Sequence, residues 1–252
     1  MTRWVRNLGL ALSFGTIIPI PDRGPIDDEA LLASVSFFPI VGLILGLALW
    51  GLNAAFSLVL PRQISAIMAL ALYTMATGGL HLDGLMDTFD AIGSRKPARE
   101  ALLIMKDSRV GAMGALAASL LLIGKALAFS KLPLTANPGA WVAVPIIARL
   151  AVVWSMPLAP AAAETGLGVL YAQRIPPKTL IVATVLGLLG VGLLLSTQAA
   201  IILSLLGLGL TLGWTRYIQR RFGGSTGDTY GALIEIVEWV GFLMLTGGWA
   251  HG

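Results

Sequence analysis

Thr179–Arg216 reads TLIVATVLGLLGVGLLLSTQAAIILSLLGLGLTLGWTR, and no charged residue interrupts it before its last position. About 20 apolar residues cross the hydrocarbon core of a bilayer, so the run is too long for one crossing and divides at Ser196, Thr197 and Gln198. The two spans it predicts, 179–196 and 199–216, set the reading of the rest. Working outward, further apolar runs cover 31–59, 63–80, 110–130, 139–160 and 230–249. The first is long enough to tilt or bend, with Pro39 as the place. Within 110–130, Gly111 and Ala115, and likewise Gly114 and Ala118, put small residues four apart, a pattern that lets helices approach closely. At the start of the chain, Arg3 and Arg6 precede an apolar run from Leu8 to Ile20. Pro19 and Pro21 interrupt that run and no small-residue cleavage site follows, which argues for an uncleaved interfacial or re-entrant segment. With no internal repeat or low-complexity linker, the expected fold is all-α, a polytopic integral membrane helical bundle. It has about seven transmembrane helices plus the N-terminal segment and forms a single domain over residues 1–252.

Composition agrees. Hydrophobic residues make up 56% of the chain and charged ones 12%, against about 45–50% and about 25% in ordinary soluble domains. The absence of cysteine excludes disulfides, thiolate metal sites and cysteine nucleophiles. A net charge of +4 raises nucleic acid as a partner, but the basic residues lie in short connections rather than in a patch with interleaved aromatics, so no nucleic acid is expected. They report topology instead. Thirteen Lys and Arg residues fall on one side of the predicted spans, Arg23 among them, against Arg62 and Lys131 on the other. The positive-inside rule then puts the N-terminus and both polar motifs described next on the cytoplasmic face of the membrane.

The first motif is Gly78–Gly114, GGLHLDGLMDTFDAIGSRKPAREALLIMKDSRVGAMG, with four aspartates and five basic residues between apolar runs. Asp83, Asp87 and Asp90 are spaced i, i+4, i+7, which places them within roughly 60° of one another on a helix. Carboxylates this close repel unless a cation sits among them, and a hard divalent ion such as Mg²⁺ answers that need. The bland alternative, a solvated polar helix end, fits poorly with three aspartates closing an apolar segment. His81 lies about 160° from Asp83 on the same helix and reads as a structural hydrogen-bonding residue. Asp107, between Lys106 and Arg109, is either a fourth acid of the site or part of an ordinary charged turn. Lys106 and Arg109 are candidates for phosphate oxygens, as are Arg95, Lys96 and Arg99, all of which topology alone also explains.

The second motif is Gly223–Gly231, GGSTGDTYG. Its glycines and small hydroxyl residues allow close backbone approach to an anion, with Gly224, Thr226 and Gly227 as candidate contacts, and Asp228 adds a metal-seeking carboxylate. No Lys follows as a Walker loop requires. Glu235 and Glu238 lie beyond it on one face of the last apolar run, where their partners are Lys125, Arg149 or the substrate.

GGLHLDGLMDTFDAIGSR, IMKDSRVGAMGALA and GGSTGDTYGALIE together resemble the adenosylcobinamide-GDP ribazoletransferases, also called cobalamin synthases, with apolar runs that match over essentially the whole chain. One departure is Ala91, where the family pattern has glycine. The resemblance implies an integral membrane enzyme that joins adenosylcobinamide-GDP to α-ribazole or its 5′-phosphate, releases GMP, and requires Mg²⁺. Asp83, Asp87, Asp90 and Asp228 would be the metal-binding and catalytic residues. Lys106, Asp107, Arg109, Gly224, Thr226, Gly227 and Glu235 would contact substrate. Two other readings stand beside it. One is a membrane alcohol phosphotransferase or prenyltransferase, although the single aspartate of GGSTGDTYG argues against the latter. The other is a cation-coupled transporter using Asp87, Glu235 and Glu238, which the lack of inverted repeats opposes. Besides substrates and the bilayer, a homo-oligomer is the remaining partner left open.

Overall fold

The computed structural model describes residues 3–19, 27–134, 138–162, 167–172 and 174–247. Arg23, Pro21 and the last two positions of the predicted 230–249 span lie outside them. Among the described residues the chain is helical: α1 (Arg3–Gly15), α2 (Asp28–Ser34), a short 3₁₀ turn (Val35–Phe37) and α3 (Phe38–Phe56) lead into α4 (Arg62–Ala76) and α5 (Leu80–Gly93). Then follow α6 (Ala98–Met105), α7 (Ala112–Lys131), α8 (Gly139–Ser155), α9 (Leu167–Tyr171), α10 (Pro177–Leu194), α11 (Thr197–Phe222) and α12 (Gly227–Leu245).

The bundle is built around α8. Its sequence, GAWVAVPIIARLAVVWS, is apolar all round except at Arg149 and the terminal Ser155, and all but two of its 17 residues are buried. A helix without a polar face has to be surrounded, and α3, α10, α11 and α12 all pack on it. The closest approach is to α3. A Cβ on Gly42 would lie 2.4 Å from the Pro145 carbonyl oxygen, and one on Gly46 would lie 2.6 Å from Val142 Cα. Two small residues four apart thus let backbones touch where side chains would hold them apart.

Each predicted apolar run falls on a helix, and the fold is a helical membrane bundle. Among the described residues, four helical stretches are long and apolar enough to cross a membrane: Asp28–Phe56, Ala112–Lys131, Pro177–Leu194 and Thr197–Phe222. At about 1.5 Å per residue, α8 is shorter than the hydrocarbon core, and α12 carries Asp228, Glu235 and Glu238. The run at 63–80 differs from the expected straight span. Helices α4 and α5 would make a fifth crossing as a pair but are bent by 88° between them. The bend is built from Gly78 and Gly79 at φ 64° and 69°, backbone angles that side chains other than glycine's rarely accept. The outer surface is apolar in helical stripes: Met113, Leu116, Leu120, Ile123 and Leu127 on α7, Ile181, Val185, Leu189 and Leu193 on α10, Ile201, Leu205 and Leu212 on α11. Stripes of this extent belong against lipid.

One polar cluster crosses the core. Lys125 Nζ on α7 donates to Glu235 Oε2 at 2.7 Å and Glu238 Oε2 at 2.6 Å on α12. Arg149 Nη1 on α8 donates to Glu238 Oε1 and, at 3.0 Å, to the Tyr73 hydroxyl on α4, which donates to the same Glu238 oxygen at 2.5 Å. Two cations meet two carboxylates, so the buried charge balances. Removing one partner of a buried pair costs about 3–5 kcal/mol because its mate is left uncompensated. Lys125→Met is therefore expected to lower the thermal unfolding midpoint in detergent strongly, and Lys125→Met with Glu235→Gln to recover much of the loss. A single variant as stable as the wild-type protein would show that the pair does not hold the bundle.

Candidate active site

The acidic stripe sits on α5. Asp83 lies in the helix's first turn, where its charge favours the helix dipole, and its amide donates to Gly79 O at 2.8 Å, so the glycine bend starts the helix. His81, Gly84, Leu85, Thr88 and Ala91 form the buried face, which leaves Asp83 exposed and Asp87 and Asp90 half-buried. Against the buried face lies α12. A Cβ on Gly84 would stand 2.8 Å from Asp228 O and 2.9 Å from Asp228 Cα, while one on Gly231 would stand 3.2 Å from His81 Cα. Two glycines, one from each motif, thus let the two backbones meet. This contact carries Asp228 to the stripe, so that Asp83, Asp228 and Asp90 all act electrostatically on Asp87. Among the described residues, no three His, Asp or Glu side chains converge on one ion-sized point. The four aspartates form a rim of like charge.

Asp90 has a further role. Its Oδ2 accepts from Gly111 N at 2.7 Å and its Oδ1 from Gly114 N at 2.8 Å. Gly111 is the N-cap of α7 and Gly114 lies in its first turn, so Asp90 caps a helix from across the fold. A Cβ on Gly111 would fall 2.3 Å from Asp90 Oδ1, and one on Gly114 2.5 Å from Oδ2. Both glycines make room for this carboxylate, and Gly114 also lies against the Met86 carbonyl oxygen of α5. Because Gly111 follows Arg109 by two positions, the same bonds fix the connection that carries Lys106 and Arg109.

Asp107 turns to Arg109 rather than to the rim. It accepts from Arg109 Nε at 3.0 Å, Nη2 at 2.6 Å and the Arg109 amide at 3.1 Å, and those bonds hold its carboxyl down at about 2. Lys106 and Arg109 are exposed. They are brought toward the second motif by Met105, whose Sδ accepts from Thr226 Oγ1 at 3.3 Å.

Within the second motif the structure gives several candidates local tasks. A Cβ on Gly224 would collide with Pro160 O at 2.3 Å, because residues 160–162 pair with Ser225 through Ser225 N to Pro160 O at 2.8 Å and Ala162 N to Ser225 O at 2.9 Å. Thr226 caps α12 in a reciprocal capping box with Thr229. Gly227, next in line, is exposed and open. Glu235 is held in the Lys125 pair and is 7% exposed. Three contributions went unnoticed in the sequence. Gly84 looked like one more small helical residue. Arg221 donates through Nη2 to Ala91 O at 3.1 Å, tying α11 to the end of α5, and was counted only for topology. Arg149 lines a cavity next to Asp228.

Carboxylates on two glycine-joined helices, beside an exposed basic connection and a helix N-terminus, are suited to a polyanionic substrate with a hard cation. The chain is similar to proteins named adenosylcobinamide-GDP ribazoletransferase from Brevibacillus brevis, 41% identical over 95% of this chain and 97% of the relative. Others are from Desulforamulus reducens, 38% identical over 96% of each chain, and Roseiflexus sp., 36% identical over 95% of this chain and 88% of the relative. No solved structure matches it. The sequence profile described as cobalamin-5-phosphate synthase matches residues 7–246, and the chain belongs to that family.

Proposed function

We infer that the chain joins adenosylcobinamide-GDP to α-ribazole or its 5′-phosphate, releasing GMP and forming adenosylcobalamin or its 5′-phosphate, with Mg²⁺ and at the cytoplasmic face of a bacterial inner membrane. The observation that carries this reading is the Gly84–Asp228 contact, which unites the acids of both motifs at one rim beside an exposed basic connection. The transporter alternative loses two of its three ion ligands, since Glu235 and Glu238 are already neutralised by Lys125 and Arg149.

The rim fits Mg²⁺ by donor chemistry. Its ligands are all carboxylate oxygens, and Mg²⁺ is commonly held by one or two carboxylates, with water and substrate phosphates completing its shell, so a dedicated cage of protein ligands is not required. One or two of Asp83, Asp87 and Asp228 would hold it, and when bound it supplies charge neutralisation for the pyrophosphate. The expectation for Asp90 changes. With both oxygens accepting α7 amides, Asp90 acts by positioning the connection from Lys106 to Gly111. Lys106 and Arg109 then meet phosphate oxygens. A ribose hydroxyl attacks phosphorus, the phosphoanhydride bond to GMP breaks, and the hydroxyl proton passes to a rim carboxylate.

The direct test is purified protein with adenosylcobinamide-GDP, α-ribazole phosphate and Mg²⁺, read by mass spectrometry for GMP and the joined corrinoid; no product with both substrates bound would end this reading. Asp83→Asn and Asp87→Asn are expected to lower turnover on the order of 10²–10³-fold, as loss of one electrostatic stabiliser does, with melting unchanged. Asp90→Asn, which keeps a single acceptor oxygen for two amides, is expected to lower both turnover and the melting temperature; unchanged melting would return Asp90 to the ligand set. For sidedness, Ser94→Cys in this cysteine-free chain should react with an impermeant thiol reagent from the cytoplasmic side only, and labelling from outside would invert the topology.

A further inference from the structure

Away from the cavity beside Asp228, a hollow of about 510 Å³ lies between the start of α1, α2 with the 3₁₀ turn behind it, and the start of α10. Among the described residues, no member of the acidic rim or of the basic connection lines it. Three polar side chains do: Asn7, Ser36 and Thr179, which are 9%, 8% and 6% exposed. None of the three has a side-chain hydrogen-bond partner among the described residues, and their polar atoms are not sealed in the packing. Buried hydroxyl and amide groups are ordinarily satisfied. Three unmet ones around one hollow, of a size at which proteins hold small molecules, point to a polar occupant.

Charge narrows the choice. Arg3, Glu29 and Lys178 also line the hollow. Arg3 is paired with Glu29, whereas Lys178 is exposed and has no ion-pair partner among the described residues. One uncompensated cation beside hydroxyl and amide donors matches a singly charged phosphodiester. Position selects its carrier. Glu29 and Lys178 are the second residues of Asp28–Phe56 and Pro177–Leu194, two stretches able to cross a membrane, so the hollow stands where hydrocarbon gives way to lipid headgroups. Trp4, 63% exposed, is part of its wall, as suits an aromatic at headgroup depth. Val182 lines it next to Ile181, where the lipid-facing stripe of α10 starts. A free phosphodiester would use the polar groups and leave this apolar continuation unused.

We propose that the hollow between α1, α2 and α10 binds the headgroup of an anionic phospholipid, with the phosphodiester at Lys178 and Thr179, the headgroup hydroxyls at Asn7 and Ser36, and the acyl chains along α10. The site is separate from the rim, and the transfer reaction does not use its ligand. A lipid held there joins the first turn of α1 to the start of α10.

The test uses the full purified chain in detergent, titrated with phosphatidylglycerol, phosphatidylcholine or the soluble headgroup glycerophosphoglycerol, and read by native mass spectrometry for retained ligand. Phosphatidylglycerol is expected to bind about fivefold or more tightly than phosphatidylcholine, the worth of one basic charge at a lipid surface. Lys178→Gln, at an exposed position that leaves packing untouched, is expected to erase that preference. Ala33→Phe, which fills the hollow from α2, is expected to weaken phosphatidylglycerol binding about tenfold or more. Equal retention of the two lipids by the wild-type chain overturns the assignment, as does an undiminished preference in Lys178→Gln or unchanged binding in a folded Ala33→Phe. Glycerophosphoglycerol binding as tightly as the lipid overturns it in favour of a soluble phosphodiester. Selective retention that both variants lose supports it.

Discussion

The bundle depends on a charge balance that the membrane makes compulsory. Lys125 and Arg149 stand inside the protein on α7 and α8, and nothing in hydrocarbon can solvate them. Glu235 and Glu238 on α12 neutralise both, and Tyr73 brings α4 into the same cluster. Lipid tails offer no hydrophobic drive between apolar helices, so packing and polar contacts decide which helices meet. Around α8 the packing is supplied by small residues such as Gly42 and Gly46. The charged cluster supplies direction, since it is satisfied only when α4, α7, α8 and α12 stand in one arrangement.

That arrangement serves the acids at its edge. Fixing α12 by Glu235 and Glu238 fixes Asp228 two turns earlier on the same helix, and α5 then seats on α12 through Gly84 and Gly231. Asp90 extends the scheme by capping α7, so the helix that carries Lys125 into the core also has its first turn bound to the acidic stripe. Core and site are therefore mechanically one object, in which the rim is placed by contacts that are not themselves chemical.

Much of this was readable in the sequence, and what was not has a common cause. Hydropathy located every apolar run because burial in lipid demands it residue by residue. The i, i+4, i+7 spacing located the acidic stripe because helical geometry is local. The turn at Gly78 and Gly79 was missed since glycines that take positive φ look, in a string of letters, like glycines that pack. Glu235 and Glu238 were recognised as needing partners, with Lys125 and Arg149 both named; geometry uses both. The capping role of Asp90 and the contact of Gly84 on Asp228 join residues 21 and 144 positions apart, and no local rule carries such information.

The charge balance also orders the chain's biogenesis. Lys125 and Arg149 leave the ribosome well before Glu235 and Glu238, so for a long stretch of synthesis the bundle holds two cations without these counter-charges. Their positions cannot close until the last long helix arrives. The same helix brings Asp228 to the rim, so a truncated or stalled chain lacks the site as well as the closure. Settlement of the interior and arrival of Asp228 at the acidic rim thus depend on the same helix.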